Sequence, residues 1–129
     1  GGNNHRLGLY DGILIKENHI VLAGGITPAL EACRRRLNHL QKIEIEVTSL
    51  EELEEALEAG ADAVLLDNME PKTVAEAVAL ARGRCQLEVS GGVHEGNLLQ
   101  YAQAGVDFIS LGALTHSHRA VDISLELGQ

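Results

Sequence analysis

Four side chains able to do chemistry stand at matching places in the chain. Lys16 ends the run ILIK (13–16), Glu46 is penultimate in IEIEV (43–47), Asp67 ends AVLLD (63–67) and Ser90 ends QLEVS (86–90). Each run reads as a short β strand. A lysine in this position can hold an anion as a point charge, or serve as a Schiff-base amine on a phosphorylated substrate, as in an aldolase or isomerase. The second use needs a depressed lysine pKa, and neighbouring carboxylates act in the opposite direction. Taken singly, Lys16 or Glu88 reads equally well as a compensating ion-pair member, and Asp67 or Asn68 as the cap of a following helix. As a set, the strand-end residues point to a site.

Glycines supply a second group. SGGV (90–93) follows the fourth strand run and LGAL (111–114) the fifth, DFISL (107–111). Bare backbone N–H groups in such loops can approach an anion, although tight turns that need a positive φ call for glycine without any ligand. The six histidines, at 5, 19, 39, 94, 116 and 118, show no HExxH-like spacing, so no zinc site is expected. Cys33 and Cys85 are far apart in the sequence and read as ordinary buried thiols.

The elements that must position these residues alternate. Between the strand runs lie four helical patterns. In the first, Thr27 is the expected N-cap and Pro28 the first helical residue, with Leu30, Cys33, Leu37 and Leu40 on one stripe. In the second, Ser49 and Glu52 form a capping box, Leu50, Leu53 and Leu57 share a face, and Gly60 closes the helix. The third runs from about Pro71 to Gly83, and the fourth from about Glu95 to Ala104, closed by Gly105. Intervals of this length accommodate a crossover helix each time, which implies parallel strands with right-handed connections.

Parity then separates the faces. If the isoleucines of IEIEV face the helices, Glu44 and Glu46 point together to the other side. The same counting sends Lys16, Asp67, Glu88 and Ser90 with them, and Ile13, Ile15, Leu66, Leu87 and Val89 to the helices. A doubly wound sheet would be apolar on both faces. The expectation is therefore an α/β fold, a TIM-like parallel βα barrel of about five strands, open or incomplete in this chain, with its site at the C-terminal strand ends. Glu44, near its strand start, reads as structural.

Composition sets the outer limits. The 129 residues, 45% hydrophobic, suffice for one domain with its own core. A formal charge of −9 argues against general nucleic-acid binding while leaving room for a local anion site. There is neither an apolar run of membrane-spanning length nor a secretion-signal pattern, so a soluble cytoplasmic protein is expected.

The segments NHRLGLYDGILIKENHI, EIEVTSLEEL, GADAVLLDNM, LEVSGGV and GVDFISLGALTHS together resemble the C-terminal barrel domain of the quinolinate phosphoribosyltransferases, the decarboxylating nicotinate-nucleotide pyrophosphorylases. The lysine of LIKENH favours these enzymes over the related molybdenum-associated members. The resemblance implies transfer of phosphoribose from phosphoribosyl pyrophosphate to quinolinate, with Mg2+, yielding nicotinate mononucleotide, CO2 and pyrophosphate in NAD biosynthesis. By matching motifs, His5, Arg6 and Lys16 would grip the quinolinate carboxylates. Glu46 and Asp67 would face the ribose and its magnesium, and Ser90, Gly91, Gly92, Gly112 and His116 would line the phosphate end.

The resemblance further implies an N-terminal domain and a first barrel strand preceding the matched segment, and a homodimer or higher oligomer in which a partner arginine completes the site. Residues 1–129 are accordingly expected to form the C-terminal catalytic barrel domain without those parts, and to be inactive alone. A non-catalytic fragment or engineered scaffold is the remaining reading.

Overall fold

A computed structural model describes residues 2, 4, 8, 10–117 and 120–128. The strands are β1 (Gly12–Ile15), β2 (Lys42–Val47), β3 (Ala63–Asp67), β4 (Gln86–Ser90) and β5 (Phe108–Ile109). The helices are α1 (Glu17–Ala23), α2 (Ile26–Arg34), α3 (Leu50–Glu58), α4 (Pro71–Ala81) and α5 (Leu98–Ala104). All strand pairs are parallel, in the order β1-β2-β3-β4-β5. Because the spatial order follows the chain order without reversal, right-handed crossovers put the helices on one face only. The arrangement is singly wound, as in a segment of a βα barrel, and β1 and β5 are its edges.

Alternation along the strands builds the core. Ile15, Ile43, Ile45, Val47, Val64, Leu66, Leu87 and Val89 are buried beneath the helices, where Leu30, Leu53, Leu57, Val74 and Ala77 meet them. Leu65 is also buried, but it lies outside that cluster, on the opposite face. Strand parity is thus obeyed throughout β2, β3 and β4.

The helix termini show where local rules were overridden. α2 starts at Ile26 with Gly25 as N-cap, at φ 141°, a conformation open to glycine. Thr27 is therefore not the cap, and Pro28 sits at the third helical position. The Thr27 N–H and hydroxyl instead donate to Glu55 Oε1 of α3, at 3.0 and 2.9 Å. A carboxylate from the neighbouring helix thus satisfies the donors at the start of α2. This helix ends at Arg34, so the expected stripe is cut short and Leu40 is 80% exposed. Arg34 bridges onward, donating to the carbonyls of Ala59 and Gly60 at the C-terminus of α3 (3.1 and 2.7 Å).

The capping box at α3 is half formed. Ser49 Oγ accepts from Glu52 N at 3.2 Å, whereas Glu52 Oε2 accepts from the N–H and hydroxyl of Thr48 (2.7 and 3.0 Å). Gly60, just beyond α3, is left-handed as expected. α5 begins three residues later than its pattern suggests, and the fifth strand shrinks to Phe108 and Ile109. α1 was not anticipated. It has no buried residue, so it carries no apolar periodicity to read. Both cysteines are half-buried, not buried. Among the described residues, no helix is long and apolar enough to cross a membrane.

Candidate active site

The face away from the helices is laid out in rows by the register. Gly12 and Lys42 share the lowest, Leu14, Glu44, Ala63 and Gln86 the next, Glu46, Leu65, Glu88 and Phe108 the one above, and Asp67 and Ser90 the uppermost. Lys16 lies one residue past β1 and caps α1, yet its backbone is extended (φ −112°, ψ 168°), so the alternation carries through it. Its Nζ reaches Glu46 Oε2 at 3.6 Å, an ion pair in which the glutamate is the more enclosed partner. His19 Nδ1 accepts the Lys16 N–H at 2.9 Å, tying the first turn of α1 to the end of β1. Lys16, Glu46, Asp67 and Ser90 consequently stand on one face at one end of the sheet, where βα barrels carry their active sites.

Beneath this mouth lies a carboxyl pair. Glu44 hydrogen-bonds Glu88, and Ser110 Oγ donates to Glu88 Oε1. Burial, followed by the nearby Glu88 charge and the Glu88 hydrogen bond, pushes the Glu44 carboxyl up from 4.5 to about 7. Glu44 therefore keeps its proton to a higher pH than an ordinary carboxyl does. Lower still, Lys42 Nζ donates to Gln86 Oε1 at 3.1 Å.

The loops after β3 and β4 are joined. Asn68 adopts φ 53°, its N–H donates to the Ser90 carbonyl at 2.9 Å, and its Nδ2 donates to Asp67 Oδ2 at 2.8 Å. The Asn68 amide lies against Gly91, and a side chain on Gly91, itself at φ 82°, would collide with it. The alternative reading of Asp67 or Asn68 as a helix cap does not hold, because the N-cap of α4 is Glu70. Gly92 also has positive φ, 65°, and its carbonyl accepts from Asn97 Nδ2 at 3.0 Å. At the other glycine turn, the His116 ring packs so closely over Gly112 that a Cβ there would meet it at 2.7 Å. The exposed His116 ring could swing aside, so neither this contact nor the backbone angle demands glycine at 112.

His5 and Arg6 lie outside the described residues. Ser110 and Asn68 enter the constellation without having been assigned to it from sequence. For Ser110 the available signal was parity, two residues beyond Phe108 on the inward side. Among the described residues, no group of three or more His, Cys, Asp or Glu is arranged to hold a metal.

A singly wound parallel βα sheet, with a lysine, carboxylates and glycine turns gathered at the C-terminal strand ends, defines a barrel-type α/β unit. The model of the quinolinate phosphoribosyl transferase C-terminal domain matches residues 1–126, and the chain belongs to that family. It is 44% identical over 127 residues to a probable nicotinate-nucleotide pyrophosphorylase [carboxylating] of Bacillus subtilis, covering 98% of this chain and 44% of the relative. To a probable enzyme of the same name from Methanocaldococcus jannaschii it is 43% identical, covering 98% of this chain and 47% of the relative. The solved nicotinate-nucleotide pyrophosphorylase of Francisella tularensis superposes with a TM-score of 0.86 at 48% identity, covering 96% of this chain and 44% of that one. The chain thus spans less than half the length of these relatives.

Proposed function

We propose that this chain is the C-terminal catalytic domain of an enzyme that joins quinolinate to the phosphoribosyl group of phosphoribosyl pyrophosphate, releasing pyrophosphate and CO2 and leaving nicotinate mononucleotide. The observation that carries the reading is the gathering of Lys16, Glu46, Asp67 and Ser90 at one mouth, in a member of this family.

The chemistry suits the side chains. Lys16, with His5 and Arg6, supplies cations for a dicarboxylate, with Arg as a bidentate fork and Lys as a point charge. Held in this way, the pyridine nitrogen faces the anomeric carbon, forms the new C–N bond and displaces pyrophosphate. Positive charge that develops on the ribose as the leaving group departs is stabilised by the carboxylates of Glu46 and Asp67. The backbone of Ser90, Gly91, Gly92 and Gly112, together with His116, faces the phosphate end. Loss of the ring carboxylate as CO2 leaves a pair of electrons on carbon, which takes up a proton.

Magnesium fits as an ion carried in by the pyrophosphate, with Glu46 and Asp67 as its protein oxygens, the manner in which Mg2+ is ordinarily held with substrate phosphates. It would neutralise phosphate charge there. The Schiff-base reading requires an amine away from carboxylates, whereas Lys16 has Glu46 at 3.6 Å.

On the same proposal, the residues that relatives carry outside the match supply further cations, and a homodimer or higher oligomer brings a partner arginine to the site. The 129-residue chain alone is then expected to be inactive, since removing even one charge-stabilising donor typically costs about a hundredfold or more. The test is formation of nicotinate mononucleotide by the chain alone and by a version joined to those outside segments. Turnover only in the extended version, abolished by Lys16→Ala, is expected. No turnover in a folded, dimeric extended version would refute the proposal.

A further inference from the structure

The proposed reaction asks the Asp67 carboxylate to hold one orientation while the loop after β4 receives phosphate. Side chains at successive strand positions point to opposite faces, so a residue following Asp67 would ordinarily be turned away from it. Asn68 is not, because its left-handed backbone, φ 53°, folds the side chain back onto the same side. Asparagine is among the few residues other than glycine that enter this conformation readily. Once there, its amide has two uses. Nδ2 donates to Asp67 Oδ2 at 2.8 Å, occupying one carboxylate oxygen and leaving the other for ligand. The rest of the amide fills the space above Gly91, and the Asn68 N–H holds the Ser90 carbonyl at 2.9 Å.

From this geometry we infer that Asn68 is a positioning residue that fixes the Asp67 carboxylate and locks it to the Ser90–Gly92 loop, so that the ribose and phosphate ends of the site are set by one side chain. The inference rests on the proposed phosphoribosyl transfer. Outer-shell partners of a ligand-holding carboxylate typically contribute about 10- to 100-fold to affinity or activity, and Asn68 belongs in that range.

The experiment uses the extended protein carrying the segments its longer relatives have outside the match. Asn68→Gly keeps the left-handed backbone accessible and removes the amide. It is expected to lower kcat/KM for phosphoribosyl pyrophosphate about 10- to 100-fold with the thermal midpoint unchanged. Asn68→Asp also tolerates positive φ and would restore a merely conformational role, but it offers no donor to Asp67, so no rescue is expected. Because Asn68 acts partly through Asp67, the combined loss in Asp67→Asn/Asn68→Gly should fall short of the product of the two single losses. Full activity in Asn68→Gly, rescue by Asn68→Asp, or additive losses in the double variant would each overturn the inference. If Asp67→Asn itself turned over normally, the functional reading and the inference would fall together; if it were inactive while Asn68→Gly was unimpaired, only the inference would.

Discussion

Replacing Glu44 by Gln should change how stability responds to pH. Glu44 and Glu88 share a hydrogen bond on the inward face, where burial and the Glu88 charge raise the Glu44 carboxyl from 4.5 to about 7. The folded protein therefore binds this proton more tightly than the unfolded chain does. Its stabilising contribution is fully present below the unfolded value near 4.5 and is lost as pH rises through about 7. At ~1.4 kcal/mol per pKa unit, the displacement corresponds to at most about 3 kcal/mol. Glu44 is only half-buried, and solvent screening reduces this to about 1–2 kcal/mol. Gln keeps the shape and a donor for Glu88 but cannot ionise. Urea unfolding followed by far-ultraviolet circular dichroism, at pH 5 and pH 8, should show the variant close to wild type at the lower pH and about 1–2 kcal/mol more stable at the higher. A difference that is the same at both pH values would refute the raised Glu44 carboxyl.

Other substitutions test the remaining links by the same unfolding assay and by turnover of the extended protein. Glu55→Ala should cost about 1 kcal/mol, because the donors at the start of α2 lose their acceptor; an unchanged urea midpoint would contradict the inter-helix cap. Tyr101→Phe should cost a similar amount, about 1 kcal/mol, since the buried Tyr101 hydroxyl donates to the Met69 carbonyl at 3.0 Å. Gly91→Ala should cost about 1–2 kcal/mol of backbone strain and displace the Asn68 amide, lowering turnover as well. Lys16→Ala should reduce turnover at least about a hundredfold, with little loss of stability because the lysine end of its ion pair with Glu46 is exposed.

Much of this was legible because the strands obey a period of two. IEIEV separates its isoleucines from its glutamates without ambiguity, and the structure buries Ile43, Ile45 and Val47 together. That one assignment, extended to QLEVS and AVLLD, placed Glu46, Asp67 and Ser90 on a common face. What escaped was non-local or lacked a periodic signature. The start of α2 depends on Glu55, 28 residues away, so Thr27 and Pro28 gave a misleading local signal. α1 buries none of its residues and offered no stripe. The Glu44–Glu88 pair joins β2 to β4, so a reading of Glu44 from its place near a strand start could not foresee its raised carboxyl. Asn68 looked like a cap because asparagine serves both caps and left-handed turns, and only the backbone angle separates the two.

The central claim is that one mouth of this sheet receives both the pyridine and the phosphoribosyl group. A crystal structure of the extended protein with nicotinate mononucleotide tests it most directly. The account predicts the pyridine carboxylate at Lys16, the ribose hydroxyls at Glu46 and Asp67, and the phosphate on the backbone of Gly91, Gly92 or Gly112. A nucleotide bound at the opposite ends of the strands, or out of reach of both Glu46 and Asp67, would contradict it.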